Sequence, residues 1–336
     1  MTRTRIGRWL MMGVAMTMAS AGARADVGAQ MTAAAQALTK AFTGDAAEKL
    51  TFEFGAAERL NWHFIPRERK GVPFKEMNDA QRKLAHALIR TGLSKTGYEK
   101  ATTVMKLESV LRQIEGPDSI MKRDPDLYYV TIFGSPAMTG TWGWRLEGHH
   151  LSLNYTVRDG RVASVTPGFF GANPAHVVSG QYEGLRTLAQ EEDKAKALLA
   201  MLNEDQRAQC KISPEPAKEV SDANQPAPVA KPGQPMGISW SGLNEAQRKT
   251  LGELIEVYLS NFPDAVAEGA RGRLTSAGMD NIHFGWGGGS EKADSHSYRV
   301  EGPTFLIEYV NKIDPGAHIH SYFRSMTDDF GAMAKK

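Results

Sequence analysis

Apolar and polar residues alternate with a period of two along residues 149–157. His149, Leu151, Leu153, Tyr155 and Val157 take one set of positions; His150, Ser152, Asn154 and Thr156 take the other. Successive strand side chains point to opposite faces, so this stretch predicts a strand with one apolar and one polar face. It runs into Arg158-Asp159-Gly160-Arg161, where Asp-Gly predicts a two-residue type I′ hairpin turn. Elsewhere the period lengthens. Leu84, Leu88 and Ile89 recur at helical spacing, as do Leu251, Leu254, Ile255 and Tyr258. Similar words precede both helices: Met77-Asn78-Asp79-Ala80-Gln81-Arg82 and Leu243-Asn244-Glu245-Ala246-Gln247-Arg248, with a third at Leu202-Asn203-Glu204-Asp205-Gln206-Arg207. In each, Asn can cap the first free backbone N–H groups while Gln reaches back to the cap, and the acid favours the positive end of the helix dipole. Gln30 to Leu50 and Ser179 to Cys210 also read as helical.

A longer correspondence joins these elements. Arg145-Leu146-Glu147-Gly148 through Tyr155 reads against Arg299-Val300-Glu301-Gly302 through Tyr309, with Arg, Glu, Gly and Tyr identical. Upstream of each lies an aromatic stretch ending in glycine, Leu127 to Gly134 and Ile282 to Gly287, and upstream of that a capped helix. The order helix, strand, hairpin therefore occurs twice, predicting an internal duplication with copies at 77–175 and 243–331. Between them, six prolines in residues 212–236 rule out helix or central strand and predict an extended connector. The fold class expected is α+β: two related helix-plus-antiparallel-sheet units, packed as one domain or two. The expected divisions are 1–25, a first unit at 26–211 with flanking helices, the connector at 212–236, and a second unit at 237–336.

Composition narrows the function. The chain has 336 residues, 41% hydrophobic and 23% charged, an ordinary globular balance. Its formal charge of +2 is unevenly placed: Arg3, Arg5, Arg8 and Arg24 lie in the first 25 residues, where no acid occurs. Arg3 to Arg8 followed by the apolar Trp9 to Ala21 and by Ala23-Arg24-Ala25 has the form of a Sec-type leader cleaved after Ala25. The expected location is periplasmic or secreted. Without the leader, 36 basic groups face 38 acidic ones, which gives no field for nucleic acid. No stretch reaches the roughly 20 apolar residues that span a bilayer. The one cysteine, Cys210, excludes an internal disulfide and has no catalytic partner motif.

Histidines carry the candidate chemistry. His318-Ile319-His320 places two imidazoles on one strand face, a spacing that suits two ligands of one Zn, Cu or Fe ion. Glu308, on the preceding strand, is a third candidate, its register set by the hairpin. His149-His150 faces opposite sides unless a bulge at Gly148 intervenes; His150, on the polar face, is the stronger ligand candidate and His149 the core residue. In the other copy Pro303-Thr304 stands there, so the histidines are divided between copies, as one composite site would require. His63, among Trp62 and the cations Arg67, Arg69 and Lys70, is a further candidate ligand. Trp142, Trp144, Arg145, Arg324 and Arg67 are candidates for binding an anionic substrate. For Arg145 and Arg299 the structural alternative is ion pairing with Glu147 and Glu301. Gly285 to Ser290 is glycine-rich but has no phosphate-loop ending, and reads as a flexible hairpin loop.

Several of these words occur together: Asn61-Trp62-His63, Trp142-Gly143-Trp144-Arg145, Glu147-Gly148-His149-His150, Phe170-Gly171-Ala172-Asn173-Pro174, Gly302-Pro303-Thr304-Phe305 and His318-Ile319-His320-Ser321. In combination they resemble a bacterial family of secreted proteins catalogued as domain of unknown function 3500, over about residues 40–331. The resemblance implies no activity. Members of that family carry an Arg-Asp pair after the His-x-His; here Ser325 follows Arg324, with Asp328 and Asp329 nearby. The expectation is a periplasmic or secreted metal-binding protein, which as an enzyme would act on a small anionic or peptide-like substrate. The alternative is a non-enzymatic binding protein holding a small ligand or peptide in an aromatic and arginine-lined cleft.

Overall fold

The computed structural model of the protein describes residues 26–117, 119–219, 221, 230–231, 233–291, 294–313 and 317–331. The expected leader and its cleavage site lie outside the described residues. A helix, α1, runs through residues 26–40. It is followed by α2 (Asp45–Leu50), β1 (Thr51–Phe52), β2 (Val72–Pro73), α3 (Asp79–Gly92) and α4 (Lys95–Glu115). Next come β3 (Tyr129–Phe133), β4 (Thr141–Gly148), β5 (Leu151–Arg158), β6 (Arg161–Ser164) and β7 (Gly168–Ala172). The remainder holds α5 (Ala189–Met201), α6 (Glu204–Cys210), β8 (Lys211–Ser213), β9 (Ile238–Ser239), α7 (Glu245–Leu259) and α8 (Asp264–Ala277). It closes with β10 (His283–Gly288), β11 (His296–Gly302), β12 (Phe305–Ile313) and β13 (His318–Ser325).

All three Asn caps form. Asn78, Asn203 and Asn244 each accept from the backbone N–H three residues on, and Gln81, Gln206 and Gln247 return the bond to the cap. All three glutamines also tie their helix to another, Gln206 by donating to the Gln247 side chain in α7. Gln81 donates to the carbonyl of Ala41, just past α1, and Gln247 donates to that of Met201, at the end of α5. Replacing Asn244 with alanine should cost about 1 kcal/mol in urea unfolding, the usual loss for an N-cap.

The strands form one mixed sheet in the order β1-β3-β4-β5-β7-β13-β12-β11-β10-β8. The order has matching ends. β1 lies parallel to β3 as β8 does to β10, and β2 pairs antiparallel with β3 as β9 does with β10. At the centre β7 pairs with β13, joining the two hairpin series. α5 packs against α7, so α5 and β8 both lie on the second half of the sheet. The Asp159-Gly160 turn takes positive φ at both positions (48° and 68°), as a type I′ turn requires. Gly285 to Gly288 is strand, not loop, paired with β11 over its whole length.

The apolar set of β4 and β5 faces the helices. A Cβ on Gly92 of α3 would lie within 2.8 Å of both the Tyr155 and Trp144 rings, so the glycine lets the helix approach. The polar set is buried as well. Residues 58–64 cross it, their carbonyls at Glu58 and Asn61 accepting from Arg145 and that at Phe64 from the His150 N–H. Trp62 and Phe64 pack with Phe169, Tyr322 and Phe330 there. On the second half the proline-rich residues do the same work: Ala217 N–H donates to Ser297, Ser221 N–H to Glu308 and Ala230 N–H to the Ser325 carbonyl. The described residues of the connector at 217, 221 and 230 are therefore tied to the sheet.

Candidate metal centre

β13 sets out His318, His320, Tyr322 and Arg324 on the covered face. β7 runs beside it, with Gly171 opposite His320 and Phe169 opposite Tyr322. The third imidazole arrives from the β4–β5 hairpin. His149 and His150 do not begin a strand, as the alternation suggested; they form the turn itself, between the paired Gly148 and Leu151. His150 takes φ 58°, the left-handed region uncommon for a residue with a side chain. Two backbone bonds hold it there, its N–H to Phe64 and its carbonyl from Gly171, both 2.8 Å. A Cβ on Gly171 would fall 2.9 Å from the His150 ring, so this position is glycine to admit the imidazole.

The result is a convergence of three Nε2 atoms. His318 Nε2 lies 2.7 Å from His150 Nε2 and 3.2 Å from His320 Nε2. All three ligand atoms fall within 4.8 Å of one another, so the group could hold a metal ion. Nitrogens bound at about 2.0–2.1 Å to one ion sit roughly 2.9–3.4 Å apart, close to the spacings found. His150 is buried and the other two are half-buried. Burial first, and then the neighbouring histidines, hold the His150 pKa well below the ordinary value and push that of His318 down to about 3. Both imidazoles are therefore neutral near pH 7, the form that offers a lone pair.

Carboxylates orient the surrounding rings. His320 Nδ1 lies 3.0 Å from Glu219, whose other oxygen accepts from the Tyr322 hydroxyl at 2.8 Å. His149 stacks on His150 with ring centroids 3.9 Å apart, and its Nδ1 lies 2.5 Å from the buried Glu108. Arg123, itself held by Glu115, contacts the same nitrogen at 3.1 Å. Outer partners of this kind fix ring orientation and raise ligand basicity.

The other candidates lie elsewhere. Glu308 sits opposite Tyr322, not His320, and pairs with Arg299 at 3.1 Å. Arg299 thus turns to Glu308 where pairing with Glu301 was expected. The carboxylate that reaches a histidine is Glu219, which carries no motif of its own in the sequence. His63 bonds Asn61 at 2.8 Å and lines a separate cavity of about 250 Å³ with Arg67 and Glu147. Trp142, Trp144, Arg145 and Arg324 are at most 2% exposed and have no surface to offer a ligand. Trp144 stacks on Tyr155, and Arg145 lies 2.6 Å from both Glu58 and Glu147. Arg324 pairs with Asp329 at 2.7 Å under the Trp62 ring. Only Arg67 of that group reaches open space.

Asp329 is thus the acid that pairs with Arg324. A family profile described as Protein of unknown function (DUF3500) matches residues 24–332. The chain belongs to this family. Nothing matches it among curated proteins or among solved structures. In this DUF3500 chain Cys210 is buried and its thiol pKa is pushed up to about 12, so it is not a nucleophile at neutral pH. No described helix is long and apolar enough to cross a membrane.

Proposed function

We propose that the protein is an exported metal-binding protein that holds one transition-metal ion, Zn, Cu or Fe, on His150, His318 and His320. The observation that carries this reading is the meeting of three Nε2 atoms from one strand, β13, and the distant β4–β5 turn, with Glu219 behind His320. Three protein ligands leave a coordination position open, which suits a metal that polarises a substrate or activates water. Arg67, which lines a cavity that also reaches His149, fits a small anionic or peptide-like substrate. The arginine-rich, then apolar, first 25 residues support export to the periplasm or beyond. The non-enzymatic reading, a binding cleft walled by aromatics, loses its wall, because Trp142 and Trp144 belong to the core.

We infer also that the chain is a duplication. The matching sheet ends, the repeated caps and the repeated glutamine bonds support it. On that reading α5, α6 and β8 repeat α1, α2 and β1, and the boundary between units lies before α5 rather than in the proline-rich stretch. The metal ligands come from both units and meet at the central β7–β13 seam.

Metal analysis of protein purified from its native compartment tests the site, with one equivalent expected. Glu219→Ala should weaken metal binding by about 10–100-fold, as loss of an outer partner does. Competition against a chelator measures it; an unchanged affinity would remove Glu219 from the site.

A further inference from the structure

Beside the triad lies a cavity of about 390 Å³, within the range of small-ligand pockets. One part of its wall is His149, whose ring stacks on His150. The lining also exposes apolar side chains: Ile120 is 92% and Met121 44% exposed. Lone exposed apolar residues are common, but here both line one cleft. Six charged groups also line it, and three are engaged. Arg69 lies 3.5 Å from Glu147, Glu108 holds His149, and Asp124 holds Lys75 at 2.7 Å. Among the described residues Arg67, Lys122 and Glu68 form no ion pair, so two cations and one carboxylate of the lining are left to meet a ligand.

We propose that this cleft binds an apolar monocarboxylate, with its anionic group on Arg67 and Lys122 and its hydrocarbon body on Ile120 and Met121. The assignment rests on the reading of the histidine triad as the neighbouring metal centre for its role, though not for binding itself. A dianion is disfavoured because Glu68, Glu108 and Asp124 share the wall. A neutral ligand would leave the two cations unanswered.

Titration calorimetry with octanoate, octan-1-ol and inorganic phosphate tests this on the full mature chain, stripped of metal and then loaded. Octanoate should bind one to one in both forms, and octan-1-ol and phosphate at least about tenfold more weakly. The Arg67→Ala/Lys122→Ala double variant should weaken octanoate by at least about tenfold and leave octan-1-ol unchanged. Ile120→Ser, at a side chain too exposed to affect folding, should weaken octanoate and octan-1-ol together. Equal affinity for octanoate and octan-1-ol, phosphate binding as tight as octanoate, or no octanoate binding overturns the proposal. Metal uptake is measured on the same samples: octanoate binding without metal uptake defeats the metal reading alone, and metal uptake without octanoate binding defeats this one alone.

Discussion

Alanine at His150, His318 or His320 is expected to abolish stoichiometric metal binding while leaving the protein folded. Each substitution removes one of three ligand nitrogens that lie within 4.8 Å of one another. The loss should exceed the roughly 10–100-fold that removing an outer partner costs. His318→Ala and His320→Ala act on half-buried positions of β13, so their backbone pairing with β7 and β12 survives. His150→Ala is the more severe test. Alanine at φ 58° lacks the stacking on His149, so His150→Gly, which suits the left-handed backbone, is the companion variant. Both should lose the metal and the stacking on His149; the alanine variant, strained at positive φ, should lose more stability than the glycine one. Measured by elemental analysis and chelator competition, retention of one equivalent in any single variant would place the ion elsewhere. His149→Ala is the control, since its Nδ1 faces Glu108 and it is outside the triad.

How much of this site the sequence revealed follows from the range of the interactions involved. Helix starts depend on residues three apart, so Asn78, Asn203 and Asn244 are read directly, and the capping boxes form. His318 and His320 share a face for the same local reason. What joins them to His150 is the pairing of β7 with β13, between segments far apart in the chain. Alternation along 149–157 misplaced His149 and His150 because a turn and a strand start have the same pattern when their residues are buried. Glu308 failed by two positions of register: the β12–β13 pairing puts Val310, not Glu308, opposite His320. Glu219 had no signal, since it reaches His320 only because the proline-rich segment lies across the sheet. That cover also explains the charged side chains. A polar strand face usually meets water, and here it is sealed on the first half by residues 58–64.

Sealing that face makes Arg145 the side chain whose loss should cost most. Its guanidinium is 0% exposed and lies 2.6 Å from both Glu58 and Glu147, with two bonds to backbone carbonyls at Glu58 and Asn61. Glu58 is partly exposed and can regain water, but Glu147 cannot. Arg145→Met should therefore destabilise the protein by about 3 kcal/mol in urea unfolding, because it leaves the buried Glu147 carboxylate with Arg69 alone, 3.5 Å away. The double variant Arg145→Met/Glu147→Met removes that carboxylate but leaves the buried Arg69 without its acid, so it should recover only part of that loss. pH separates the charge from the packing. Burial already raises the Glu147 pKa above the ordinary carboxylate value, and losing Arg145 raises it further. Lowering the pH protonates the stranded acid and removes its charge, so the gap between Arg145→Met and the double variant should narrow as pH falls. A gap independent of pH would mean that Arg145 acts through packing and its carbonyl bonds. An Arg145→Met variant as stable as the wild type would return Arg145 to the ligand-binding role its place beside Trp144 first suggested.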